Sequence, residues 1–129
     1  MALHPADPWT VDRLEGIPRL FRDFESFKHA MTAVPGETHG LKLCLGCFSE
    51  MRDADLFEVI EYFGERDEIV FVHFRDVVGT MTRFHETFLN EGNYDEYDAV
   101  RKLCMLLPRW KPQAHGLKLH HPDAMPHFL

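Results

Sequence analysis

Four stretches of this 129-residue chain end or lead into side chains of the kind that hold divalent metals. They are His4, Cys44, His73, and the cluster His120, His121 and Asp123. Imidazole, thiolate and carboxylate are the usual donors for zinc, manganese or iron. The separations, roughly 30 to 50 residues each, are of the order of one strand-plus-helix unit, so neighbouring units could deliver one ligand apiece to a common point. Nine histidines is also a high number for a chain of this length, which favours metal or acid–base chemistry.

Other reactive groups lie beside these positions. Cys44-Leu45-Gly46-Cys47 has CxxC spacing. A zinc knuckle would need a second pair, and only Cys104 is left. A redox pair usually sits at a helix N-terminus, whereas the first Cys here falls in an apolar, strand-like stretch. The preferred reading is that Cys44 is a ligand and Cys47 incidental. Arg75 lies two residues beyond His73 and would share its face of an extended strand. It suits either a bidentate grip on a substrate carboxylate or an ion pair with Asp76 or another nearby acid. His85-Glu86 reads either as an acid–base pair in a loop or as an exposed, solvated pair.

Local pattern suggests what would position these residues. Leu41-Lys42-Leu43-Cys44-Leu45, between Gly40 and Gly46, predicts a short strand. Asp53 can cap a helix with Leu56, Val59, Ile60 and Phe63 on one face, stopped at Gly64. Ile69 to Phe74 is nearly continuous in apolar residues, as in a parallel strand covered on both faces. Weaker patterns place a helix after Asp23 through Phe24, Phe27, Lys28 and Met31, ending before Pro35. Another helix runs from Tyr94 to Leu106, before Pro108. Short strands are expected at Ala2-Leu3-His4 and Leu117-Lys118-Leu119-His120. Strands alternating with helices argue for an α/β fold with a parallel sheet, and ligands in such folds gather at the carboxyl ends of the strands.

Composition narrows the function classes. The chain has 14 Lys+Arg against 21 Asp+Glu, a net charge of −7, with no basic run to attract phosphate backbones. Nucleic acid is therefore not an expected partner. No apolar run approaches the ~20 residues of a membrane span, and the first residues do not resemble a signal peptide. With 3 cysteines and no disulfide framework, a cytoplasmic location is expected. At 45% hydrophobic and 27% charged residues the composition is that of a globular protein. The length is too small for a complete eight-fold α/β barrel of about 250 residues.

Several segments, in order, resemble successive motifs of the mannonate dehydratases, sugar-acid lyases on a TIM barrel similar to that of xylose isomerase. They are His4-Pro5-Ala6-Asp7-Pro8, Gly16-Ile17-Pro18-Arg19, Gly40-Leu41-Lys42-Leu43-Cys44-Leu45-Gly46 and Phe71-Val72-His73-Phe74-Arg75-Asp76-Val77. Glu86-Thr87-Phe88 and Gly92-Asn93-Tyr94-Asp95 resemble the loop and helix start that follow. The likeness fades after Leu103 and returns at Pro122-Asp123-Ala124-Met125-Pro126-His127. Ala6 stands where the family usually has an acid, and Ala124 where it usually has a His after the metal Asp.

The resemblance implies an α/β fold that is a partial barrel, residues 1–129 forming roughly its C-terminal half with about four parallel strands. It implies a metal site of His4, Cys44, His73 and Asp123, with Mn²⁺ as the ion and Mg²⁺, Fe²⁺ or Zn²⁺ as alternatives. The reaction implied is the dehydration of D-mannonate to 2-keto-3-deoxy-D-gluconate in hexuronate breakdown. The sugar-acid substrate would be held by Arg75, and His85 would be an acid–base candidate. With half the barrel wall missing, the isolated chain is expected to be inactive and to self-associate through exposed strand edges. Two other readings are a non-catalytic metal-binding fragment and another metal-dependent sugar enzyme, such as an isomerase.

Overall fold

The computed structural model describes residues 1–7, 13–34, 36, 38–107 and 117–119. The chain is mixed α/β, with twelve elements among the described residues. β1 (Ala2–Leu3) is followed by a small antiparallel pair, β2 (Arg13–Leu14) and β3 (Ile17–Pro18). Then come α1 (Phe24–Ala33), β4 (Gly40–Cys44), α2 (Leu45–Ser49), α3 (Leu56–Gly64) and β5 (Ile69–Phe74). A hairpin of β6 (Asp76–Thr80) and β7 (Arg83–Thr87) precedes α4 (Glu96–Leu106) and β8 (Leu117–Leu119).

Strands β1, β4, β5 and β8 form one sheet in that order, every pairing parallel. Neighbours in the sheet are thus successive βα units, with α1, then α2 and α3, then α4 as crossovers. In the register, Leu3 lies opposite Leu41 and Cys44 opposite His73, so one strand end carries His4, Cys44 and His73 side by side.

The helices start where local chemistry starts them. Asp23 caps α1 through a capping box, its carboxylate accepting from Ser26 N at 2.7 Å while Asp23 N donates to Ser26 Oγ. Asp55, not Asp53, caps α3, accepting from the amides of Phe57 and Glu58. The helical face of Leu56, Val59, Ile60 and Phe63 then falls where the pattern predicts, buried on the sheet. Asp95 caps α4, one residue inside the expected start at Tyr94.

The core lies between the helices and the sheet. Phe27, Phe48, Phe63, Leu41, Leu43 and Val72 are fully buried. The Phe27 and Phe48 rings stand 5.4 Å apart, and Phe24 meets Phe63 edge-on at 5.7 Å. Cover of β5 is incomplete: Val70, at an irregularity in the register, is 51% exposed and Phe71 half-buried, whereas the apolar run predicted cover on both faces. No helix among the described residues is long and apolar enough to cross a membrane.

The β6–β7 hairpin stands where the sequence pattern suggests a loop. Asn93 pins it, its side chain bonding both the N–H and the C=O of Gly79 and donating to the Ser49 carbonyl at the end of α2. Buried Asp76 accepts from the amides of Val77 and Gly92, and Met81 N donates to the Glu50 carbonyl. The hairpin is thereby fixed against α2, over the carboxyl ends of β4 and β5.

Candidate metal centre

Cys44 is the last residue of β4 and also the N-cap of α2. Its sulfur is therefore at the strand end with the first turn of a helix beyond it. Cys47 lies in that turn, and both cysteines are fully buried. Donor atoms of His4, Cys44 and Cys47 all lie within 4.8 Å of one another. His73, opposite Cys44 in the sheet, also hydrogen-bonds the Cys44 side chain, and its ring is 6.3 Å from that of His4.

The electrostatics favour a thiolate at Cys44. A hydrogen bond from Cys47 holds the Cys44 thiol well below its ordinary range, against the effect of burial, with further hydrogen bonds from His4 and His73. Cys47 is pushed up, first by that same hydrogen bond and then by burial. His4 is raised, chiefly by its hydrogen bond to Cys44. His4 Nδ1 lies 2.8 Å from the Pro5 carbonyl, which can only accept. Nδ1 therefore carries the hydrogen, leaving Nε2 as the nitrogen for a ligand, an arrangement frequent in metal-binding histidines. A thiolate flanked by two imidazoles fits a divalent cation.

Arg75 follows β5 and sits against this group. Its Nη1 lies 3.3 Å from Asp7 Oδ2, 3.5 Å from Glu50 Oε2 and 3.4 Å from Cys47 Sγ, and its Nε donates to Glu86 Oε1 at 3.0 Å. Its ionic partners are thus Asp7, Glu50 and Glu86 rather than Asp76, whose carboxylate caps backbone amides. Gly46 makes this approach possible: a Cβ there would meet the Arg75 backbone oxygen and side chain at 2.8–3.0 Å. Asp7, Cys47 and Glu50 also form a metal-like cluster, but the Arg75 guanidinium already supplies its positive charge.

Glu50 is the residue that sequence reasoning missed most clearly. It is fully buried, and neither carboxylate oxygen has a hydrogen-bond partner. Burial pushes its carboxyl up to about 7, with Arg75 pulling the other way. The signal available was a lone acid in the apolar stretch from Leu45 to Met51. Cys47, read as incidental, touches both Cys44 and Arg75, so that expectation is corrected. So is the ground for setting aside a redox pair, because Cys44 does stand at a helix N-terminus.

The remaining expected residues lie elsewhere. Asp123, His120 and His121 fall outside the described residues. His85 is exposed on β7, opposite Val78, while its neighbour Glu86 pairs with Val77 and reaches Arg75. Successive strand residues point to opposite faces, so the structure brings Glu86, and not His85, to the cluster.

The family model for D-mannonate dehydratase (UxuA) matches residues 1–125. The mannonate dehydratase of Thermotoga neapolitana is 33% identical over 105 residues, covering 78% of this chain and 28% of that protein. The crystal structure of mannonate dehydratase from Streptococcus suis serotype 2 superposes with a TM-score of 0.72 at 29% identity, over 82% of this chain and 30% of that one. The chain thus spans less than a third of the length of these relatives. With its parallel strands, its Cys44 and His73 strand ends and the match over nearly its whole length, the chain belongs to the D-mannonate dehydratase family.

Proposed function

We propose that this chain carries most of the metal site of a lyase that dehydrates D-mannonate to 2-keto-3-deoxy-D-gluconate, on one part of an α/β barrel wall. The observation that carries the reading is the meeting of His4 and Cys44 at one end of a parallel sheet, with His73 opposite Cys44 in the register and its ring 6.3 Å from that of His4, in a chain of this family. His4, Cys44 and His73 would hold the ion, Mn²⁺ by family resemblance, with Asp123 as the fourth ligand. The bound ion would neutralise charge developing on the sugar acid's carboxylate and hydroxyl oxygens during elimination.

The chain's own residues prepare that end of the sheet. Pro5 orients His4 through its carbonyl, and Cys47 and the two imidazoles keep Cys44 anionic. Arg75 offsets the charge of Asp7, Glu50 and Glu86. Of these, Glu86 is the most exposed, at 49% of its side chain, so a substrate carboxylate would take Arg75 by displacing Glu86. His85 would serve as acid or base only if the outer face of the hairpin meets substrate.

Four strands in chain order, the exposed Val70 and the likeness to part of a larger solved chain support the partial-barrel reading. The 129-residue chain alone would then turn over little or no D-mannonate and would self-associate through its strand edges. A cytoplasmic place suits such a metabolic enzyme.

The test is Mn²⁺ and Zn²⁺ titration of the 129-residue chain and its Cys44→Ser variant. A loss of affinity of at least about tenfold in the variant is expected. Unchanged affinity removes Cys44 from the ligand set and with it the reading. Turnover of D-mannonate by the purified chain with Mn²⁺ would overturn the expectation of inactivity.

A further inference from the structure

Cys44 and Cys47 are placed for a second chemistry. Three residues apart across the junction of β4 and α2, they turn their sulfurs to the same side, within 4.8 Å of each other. The two side chains are hydrogen-bonded together, so the sulfurs already face each other. Arg75 Nη1 steadies the Cys47 sulfur at 3.4 Å. Both cysteines are buried, but the partly exposed Asp7 and Glu86 side chains border Arg75 beside Cys47. Cys104, by contrast, is exposed on α4, away from this pair.

We propose that Cys44 and Cys47 form a reversible intramolecular disulfide that switches off the metal centre. With hydrogen peroxide as oxidant, one cysteine sulfur attacks a peroxide oxygen. The O–O bond breaks, water leaves and a sulfenic acid forms. The second sulfur then attacks the first, the S–O bond breaks and a second water departs. Two thiols have given up two protons and two electrons, and one peroxide has become two waters. A dithiol reductant reverses the change by thiol–disulfide exchange. Metals bind the thiolate, so the disulfide withdraws the Cys44 donor and leaves His4 and His73 without their sulfur partner. This second half rests on the metal-centre reading above; the disulfide itself does not.

The experiment uses the 129-residue chain carrying Cys104→Ser, so that the pair alone reports. The chain is exposed to hydrogen peroxide, denatured, alkylated with iodoacetamide and measured as an intact mass. Loss of two hydrogens is expected, with Cys44 and Cys47 both protected from alkylation and both recovered after dithiothreitol. The Cys47→Ser variant should show no such loss. Added oxygen on Cys44 with Cys47 still alkylated would overturn the disulfide. Preloading with Zn²⁺ should slow closure at least about tenfold, and the oxidised chain should bind Zn²⁺ at least about tenfold more weakly. A disulfide that forms at the same rate with and without Zn²⁺, and leaves Zn²⁺ affinity unchanged, keeps the thiol chemistry but overturns the metal-centre reading.

Discussion

Phe27, Phe48 and Phe63 on the helix side of the sheet are as buried as Cys44, Cys47 and Glu50 at its carboxyl end, and they are buried to opposite effect. The aromatic block removes apolar surface from water and contributes several kcal/mol per ring. The strand-end cluster places a thiolate, a guanidinium and three carboxylates together, and its burial has to be offset by pairing. Glu50 shows the offset to be incomplete, since its buried carboxyl has one ion pair at 3.5 Å and no hydrogen bond. Full burial therefore does not by itself mark a residue as stabilising. Groups held at such a cost are a sign of function.

Truncation on the apolar side should have the largest effect. Phe63→Ala removes a ring in contact with Phe24 and Tyr62 and should lower stability by about 4 kcal/mol in urea denaturation. A loss under about 1 kcal/mol would mean that this block is not the main source of stability.

At the other end the effect should depend on pH. The Glu50 carboxyl is raised from 4.5 to about 7, so the folded state holds a proton that the unfolded chain has already released in that interval. The group's contribution is fully present below about 4.5 and is lost as pH rises through about 7, amounting to about 3 kcal/mol. Arg75, Asp7, Glu86, Cys44 and Cys47 face it and set this balance. Glu50→Gln should therefore gain stability relative to the parent between pH 5 and pH 8. Parallel stability–pH curves for the two proteins would remove Glu50 from the strained side of the comparison.

Smaller changes sharpen the boundary between the regions. Gly46→Ala places a methyl against the Arg75 backbone oxygen and should cost about 2 kcal/mol, together with weaker metal binding. Asp23→Ala, at the half-exposed start of the helix that carries Phe24 and Phe27, should cost about 1 kcal/mol through the lost cap and leave metal affinity unchanged. His85→Ala, on the outer face of the hairpin, should move stability by less than about 0.5 kcal/mol. If it nonetheless alters metal affinity, the hairpin does not stand as described.

Local signals carried some elements and not others. The Asp23 cap, the Leu56-Val59-Ile60-Phe63 face and the Ile69–Phe74 strand were legible because each depends on neighbours within a few residues. Asp53 and Asp55 both offer a cap two residues apart, and the structure uses the second, with Leu56 buried in the core directly after it. The β6–β7 hairpin was not legible, since Met81-Thr82 has none of the usual hairpin-turn residues and its anchor, Asn93, comes after both strands.

By itself the sequence determined the alternation of strand and helix and the reactive residues His4, Cys44 and His73 at the ends of β1, β4 and β5, because periodicity and capping act over short distances. The resemblance to the family is read from the same short motifs. Only the tertiary structure decided that Cys47, Glu50 and Asp7 meet Arg75, residues that lie 28, 25 and 68 positions away from it in the chain. Their meeting depends on the parallel register that sets Cys44 beside His73 and on the direction in which α2 leaves β4. Those are properties of packed elements, and no local pattern encodes the low-polarity surroundings that raise Glu50 and hold the two thiols together.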